Sequence, residues 1–201
     1  MIQVDGSYLE GGGQILRTAV ALSAVTKQPC HVFNIRKGRD RPGLMPQHLL
    51  GVQALTQLCN GKLEGDELYS QEIKFSPGKN YRDRISINIL TAGSITLVLQ
   101  TLIPPALFAL SPVKITFQGG ATDTFFSPTI DHLRYIFLKI LEKINGKIEI
   151  NIIKRGYYPE GGAGVEVTIP HQNKIGGGLK PLRLIERGKL NKILVISGAS
   201  E

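Results

Sequence analysis

The chain has 201 residues, 42% of them hydrophobic and 20% charged. That balance excludes a disordered or low-complexity protein and fits one substantial core or two small ones. Lysine plus arginine (24) outnumber aspartate plus glutamate (16), a net charge of +8, which suits nucleic acid or phosphorylated ligands, or simply a solvated basic surface.

Two cysteines, Cys30 and Cys59, make no disulfide framework, and no Cys/His spacing resembles a zinc site. The start, MIQVDG, is strand-like and lacks the basic segment of a signal peptide. The most apolar run, Ile95 to Leu110, has 16 residues and is interrupted by Gln100 and Pro104-Pro105; a bilayer span needs roughly 20. A soluble, cytoplasmic protein without a membrane partner is expected.

In chain order, a strand is predicted at Ile2–Val4. Gly11–Gly13 then opens an apolar helix to about Thr26, stopped by Pro29. A strand follows at Cys30–Ile35. A second helix runs from Pro46 to Cys59, with Leu49, Val52, Leu55 and Leu58 on one stripe and Asn60-Gly61 at its end. Short strands follow near Leu63 and at Glu72–Phe75. Arg84–Leu90 alternates as a strand, and Ala92-Gly93-Ser94 opens an apolar helix to about Leu110. Val113–Phe117 alternates again. Ser127-Pro128 reads as an N-cap and first-turn proline for a helix carrying Leu133, Ile136, Phe137, Ile140, Leu141 and Ile144. Asn145-Gly146 ends it, and strands are expected at Lys147–Ile153 and Val165–Ile169.

The same unit is written twice. Gly11 and Gly93 are 82 residues apart, as are Pro46 and Pro128; Cys30 and Val113 are 83 apart. The fold class is therefore two-layer α/β, built of tandem repeats with two helices on a four-stranded sheet. The divisions expected are 1–80, 81–175 and 176–201. The last is the start of a third unit, with strand-like residues at Leu182–Ile196.

Four polar features could carry chemistry. In LEGGGQILR (residues 9–17), three glycines open a helix, a natural anion site, yet Glu10 stands at its mouth. Glu10 either contacts a metal ion between itself and a phosphate, or pairs with Arg17, a cation in an otherwise apolar helix. NIRKGRDRPGLMPQHL (residues 34–49) carries Arg36, Arg39 and Arg41 on a loop, then Gln47 and His48 in a first helical turn. Arginine forks bind phosphate bidentately, and the alternative is an exposed basic loop. Gln100 is the one strongly polar side chain in Ile95–Ile103, either a satisfied core amide or a ligand contact. In RGYYPEGGAG (155–164), Lys154 and Arg155 flank a hairpin tip and could face a polyanion; the plain alternative is a flexible turn. His31 and His171 look structural or exposed, and His132 is open. There is no Ser-His-Asp arrangement, Walker loop or GxGxxG.

Taken together and in this order, EGGGQILR, IRKGRDRPGLMPQHL, AGSITLVLQ and RGYYPEGG resemble the RNA 3′-terminal phosphate cyclases, from Val4 to about Arg187. The resemblance implies a large domain of three α/β repeats with a small α/β domain inserted in the third. It implies ATP and a divalent metal, magnesium or manganese, as cofactors and RNA with a 3′-phosphate end as partner, and it leaves room for an oligomer. A histidine would attack the α-phosphorus of ATP and keep AMP; AMP would pass to the RNA 3′-phosphate; the neighbouring 2′-hydroxyl would then expel AMP and close a 2′,3′-cyclic phosphate. By motif, Arg17, Arg36, Arg39, Gln47 and His48 would line the phosphate and RNA-end pocket. Gln100, Pro128 and His132 would contact the nucleotide, and Glu10 the metal. No catalytic nucleophile is expected among these residues: the histidine lies near the family's C-terminus, beyond Glu201 here, so the chain reads as part of a longer polypeptide. The alternatives are a non-catalytic relative acting in ribosome assembly and, more distantly, an enolpyruvyl-transferase-like phosphate binder.

Overall fold

The computed structural model describes residues 1–172 and 179–199. Two four-stranded sheets share one topology. In the first, β1 (Ile2–Asp5), β2 (Cys30–Phe33), β3 (Lys62–Glu64) and β4 (Ile73–Ser76) lie in the order β1-β2-β4-β3. In the second, β5 (Arg84–Ser94), β6 (Val113–Ala121), β7 (Glu149–Lys154) and β8 (Gly164–Ile169) lie in the order β5-β6-β8-β7. The β1–β2 and β5–β6 pairs are parallel, and every other pair is antiparallel. A parallel pair needs a crossover, supplied by α1 (Gly13–Thr26) and α3 (Ile95–Leu107). The mixed α/β class is as expected.

Strand alternation sets the core. Ile85, Ile87 and Ile89 of β5 are buried, as are Val113, Ile115 and Phe117 of β6. The helix α2 (Pro46–Cys59) buries Val52, Leu55 and Leu58, on the stripe its spacing predicted. Apolar nearly all round, α3 lies between α1 and α2 and is almost wholly buried. Cys30 and Cys59 are free and buried. Among the described residues no helix is long and apolar enough to cross a membrane.

Several boundaries differ from expectation, each for a local reason. Residues 30–35 form strand only to Phe33, because Asn34 and Arg36 have positive φ and turn the chain. Ala92-Gly93-Ser94 continue β5, and the helix starts at Ile95, where Ser94 Oγ accepts the Leu97 N–H. The helix α3 ends at Leu107, short of the expected Leu110, and Pro104 and Pro105 lie within its last turn, where their missing N–H groups leave the Gln100 and Thr101 carbonyls without a helical donor. The next helix is capped by Thr129, whose Oγ1 accepts the His132 N–H, not by Ser127, whose hydroxyl donates to Thr124. It runs as α4 (Ile130–His132), a π-helical turn (Leu133–Phe137) and α5 (Leu138–Lys143). Residues 182–196 form no strand despite their composition. A strand needs a neighbour, and none among the described residues pairs with them. The remainder of the third unit expected at 176–201 lies partly outside the described residues.

Candidate functional site

The glycine-led start of α1 and the arginine loop meet. Gly12 caps α1 with no side-chain partner for the first free N–H groups. A Cβ on Gly13 would overlap His48 Nε2 and come to 3.1 Å of an Arg17 Nη. One at Gly12 would stand 3.5 Å from Arg39 Nη2. Glycine is therefore what lets three ring or guanidinium groups crowd this helix start.

His48 is buried, and its Nδ1 accepts the Met45 N–H at 3.2 Å. In the neutral ring the proton then resides on Nε2, the atom facing Gly13. Burial, reinforced by Arg36 and Arg17, lowers its pKa to about 4. His48 is thus a neutral donor at pH 7 among cations. Burial also holds the Arg17 pKa below its ordinary value. Arg17 Nε is buried with no acceptor among the described residues, and a donor in that state costs about 1–3 kcal/mol unless a ligand completes it. The Arg36 guanidinium donates to the carbonyls of Arg41 and Gly43 (3.0 Å), so it shapes the loop as well as charging it.

Glu10 does not pair with Arg17. Its carboxylate lies 3.6 Å from Arg39 Nη2 and is 91% exposed. The donor set does not make a resident metal centre: among the described residues no three His, Cys, Asp or Glu side chains gather.

Arg17 also lines a cavity of about 500 Å³ with Gln100, Pro128 and His132. The size suits a small organic ligand. Gln100 is exposed here, so it is no core amide. Sequence reasoning missed Phe126, which lines this cavity with a fully exposed ring and φ of 57°. No periodicity marks it; only its place between a strand and a helix cap does. Gln47 parts company with His48 and opens onto a different cavity, between α2 and β5, because neighbours on a helix point about 100° apart. Arg155 does not face open solvent. It grips Asp131 with both arms (2.7 and 2.9 Å) and reaches Asp123 at 3.5 Å. His31 bonds Gln3 and Glu72, whereas both ring nitrogens of His171 are buried with no partner among the described residues.

A family model described as RNA 3′-terminal phosphate cyclase matches residues 8–192. The chain belongs to the RNA 3′-terminal phosphate cyclase family. It is 44% identical over 200 residues to a protein of that name from Thermococcus kodakarensis, covering 99% of this chain and 56% of the relative. The counterpart in Saccharolobus solfataricus is 46% identical over 201 residues, covering 100% and 57%. That of Pyrobaculum aerophilum is 42% identical over 199 residues, covering 99% and 55%. The chain thus spans little more than half the length of these cyclases.

Proposed function

We propose that the chain carries the phosphate-end and nucleotide pockets of an enzyme that uses ATP to convert an RNA 3′-phosphate to a 2′,3′-cyclic phosphate, releasing AMP and pyrophosphate. The observation that carries this reading is the buried Arg17 Nε, unpartnered among the described residues, at the junction of two places. On one side stand Arg39 and His48 over the bare start of α1, with Arg36 near enough to His48 for its charge to act on the ring. On the other is the cavity with Gln100, Pro128 and His132.

The chemistry suits these groups. A phosphate monoester is doubly charged, and its activation needs charge neutralised and oxygens fixed in position. Arg17 and Arg39 supply charge and paired donors. His48 supplies a hydrogen bond that does not depend on pH near neutrality. Gln47 contacts the RNA end from the other side of the α2 start. Gln100, Pro128 and His132 bind the nucleotide, with Phe126 closing the cavity. Glu10 would offer one hard oxygen to a magnesium or manganese ion arriving with substrate, where the ion would supply charge neutralisation at phosphate.

None of the four histidines is proposed as the nucleophile, and two are committed elsewhere. His31 has both nitrogens engaged, and His48 spends its lone pair on a backbone N–H. The units 1–80, 81–175 and 176–201 are proposed as two repeats and the approach to a third. A cytoplasmic location fits the ATP and RNA required.

Binding tests the reading. RNA ending in 3′-phosphate or 3′-hydroxyl is titrated against the wild type and Arg17→Met. The wild type is expected to prefer the phosphate end by about 10- to 100-fold, the worth of one or two charge-assisted hydrogen bonds, and the variant to lose that preference. Equal affinity for both ends in the wild type overturns the reading.

A further inference from the structure

The seam between α2 and β5 carries two cavities in succession. The first, about 340 Å³, is lined by Gln47, Gln53, Asn88 and Leu90 among others. The second, about 410 Å³, is lined by Gln57, Arg84, Ser86, Lys114 and Thr116. The order runs down α2 and up β5, so the two lie end to end. Gln47 to Gln57 spans about 15 Å of helix.

The lining changes character along the seam. Near Gln47 it is apolar, with the exposed Leu90 side chain between amides that can pair with base edges. Gln53 donates to Asp66 at 3.2 Å and keeps its carbonyl oxygen free to accept. At the far end the lining is polar and holds Arg84 and Lys114. Lys114 meets Glu166 at 3.0 Å in a partly exposed pair, which exchanges readily for a phosphate. The outer face of β5 thus offers an apolar slot with amides, on which a base can rest, followed by two cations that can meet backbone phosphate.

We infer that this seam holds the single-stranded RNA preceding the 3′ end, with a base against Leu90 and backbone phosphate at Arg84 and Lys114. The inference rests on the end-site reading for its direction, because Gln47 is where the seam begins. None of Asn88, Leu90, Arg84 and Lys114 belongs to the end pocket or the nucleotide cavity.

The test uses the full natural chain and fluorescent RNA of two and of ten nucleotides, each with a 3′-phosphate or a 3′-hydroxyl. The wild type is expected to bind the longer RNA more tightly. Arg84→Gln with Lys114→Gln should remove most of that advantage and leave the dinucleotide unchanged. It should also lower the slope of log affinity against log salt by about 1.4, about 0.7 for each phosphate no longer neutralised. Leu90→Ser should lower affinity for the longer RNA with no change in salt slope. An unchanged length advantage in the double variant overturns the inference, as does equal weakening of both lengths. The former is also the outcome if another part of the chain or a protein covers the seam. If the wild type ignores the 3′-phosphate, the end-site reading fails, and the length comparison among 3′-hydroxyl RNAs still decides the seam.

Discussion

Glu10 faces Arg39 across the start of α1, 3.6 Å from its guanidinium, and leaves Arg17 without a carboxylate. An exposed pair of this kind adds little stability and can be parted by a ligand. Glu10→Gln is therefore expected to leave the melting temperature unchanged while raising the magnesium concentration needed for half-maximal turnover. Arg39→Ala should weaken RNA with a 3′-phosphate far more than RNA with a 3′-hydroxyl. Equal loss for both ends would reduce Arg39 to a general backbone contact.

His48 makes stability depend on pH. Its folded pKa of about 4 lies below the ordinary 6.5, so the unfolded chain binds the proton first as pH falls. Between those values the unfolded state carries one more proton at this site, and stability drops by about 1.4 kcal/mol per pH unit from this group. Above pH 6.5 the contribution is flat. His48→Asn, whose amide oxygen can still accept the Met45 N–H, should remove that slope. Urea unfolding at pH 7, 6 and 5 measures it as the difference between wild type and variant.

Arg155 is expected to act on the proposed nucleotide cavity through its wall. Its two arms hold Asp131, the neighbour of His132 in α4. Asp131 and Asp123 raise its pKa above the ordinary arginine value, so the guanidinium keeps its charge at every accessible pH. Arg155→Lys keeps the charge but loses the two-armed grip. It should lower the melting temperature by about 2–4 °C and weaken ATP binding, read by calorimetry. Unaltered ATP affinity would confine Arg155 to a structural role.

Phe126 is held outward in a left-handed conformation that costs a non-glycine residue about 1–2 kcal/mol. Phe126→Gly relieves that strain and removes a fully exposed ring. The melting temperature is expected to stay level or rise, while affinity for ATP falls. A variant that binds ATP as well as the wild type would show that the ring is no part of the nucleotide site.

The helix α2 was fully legible in the sequence: Pro46, the Leu49/Val52/Leu55/Leu58 stripe and Asn60 define the segment Pro46–Cys59 that forms. The alternation of Ile85, Ile87 and Ile89 gave β5 its face but not its end, because nothing in Ala92-Gly93-Ser94 distinguishes a strand that continues from a helix that begins. Ser127 reads as the cap from sequence, yet Thr129 caps the helix, a choice that only the backbone geometry makes. Leu182–Ile196 has a strand's composition without a partner strand among the described residues. In the candidate site, motif pointed to Arg17, Arg36, Arg39, Gln47 and His48. It could not show that positive φ at Asn34 and Arg36 turns the loop and brings Arg39 beside Gly12, or that Gln47 opens onto another cavity than Arg17 does. Those are consequences of loop and helix geometry rather than of residue type.

Turnover of the end group tests the central claim most directly. The full natural chain is incubated with magnesium, ATP and RNA bearing a radiolabelled 3′-phosphate, and the product is treated with phosphatase. The label is expected to become phosphatase-resistant only when ATP is present, as one AMP is released for each end closed. A label that stays fully sensitive, on RNA the protein demonstrably binds, would contradict cyclisation and leave a protein that recognises phosphate ends without activating them.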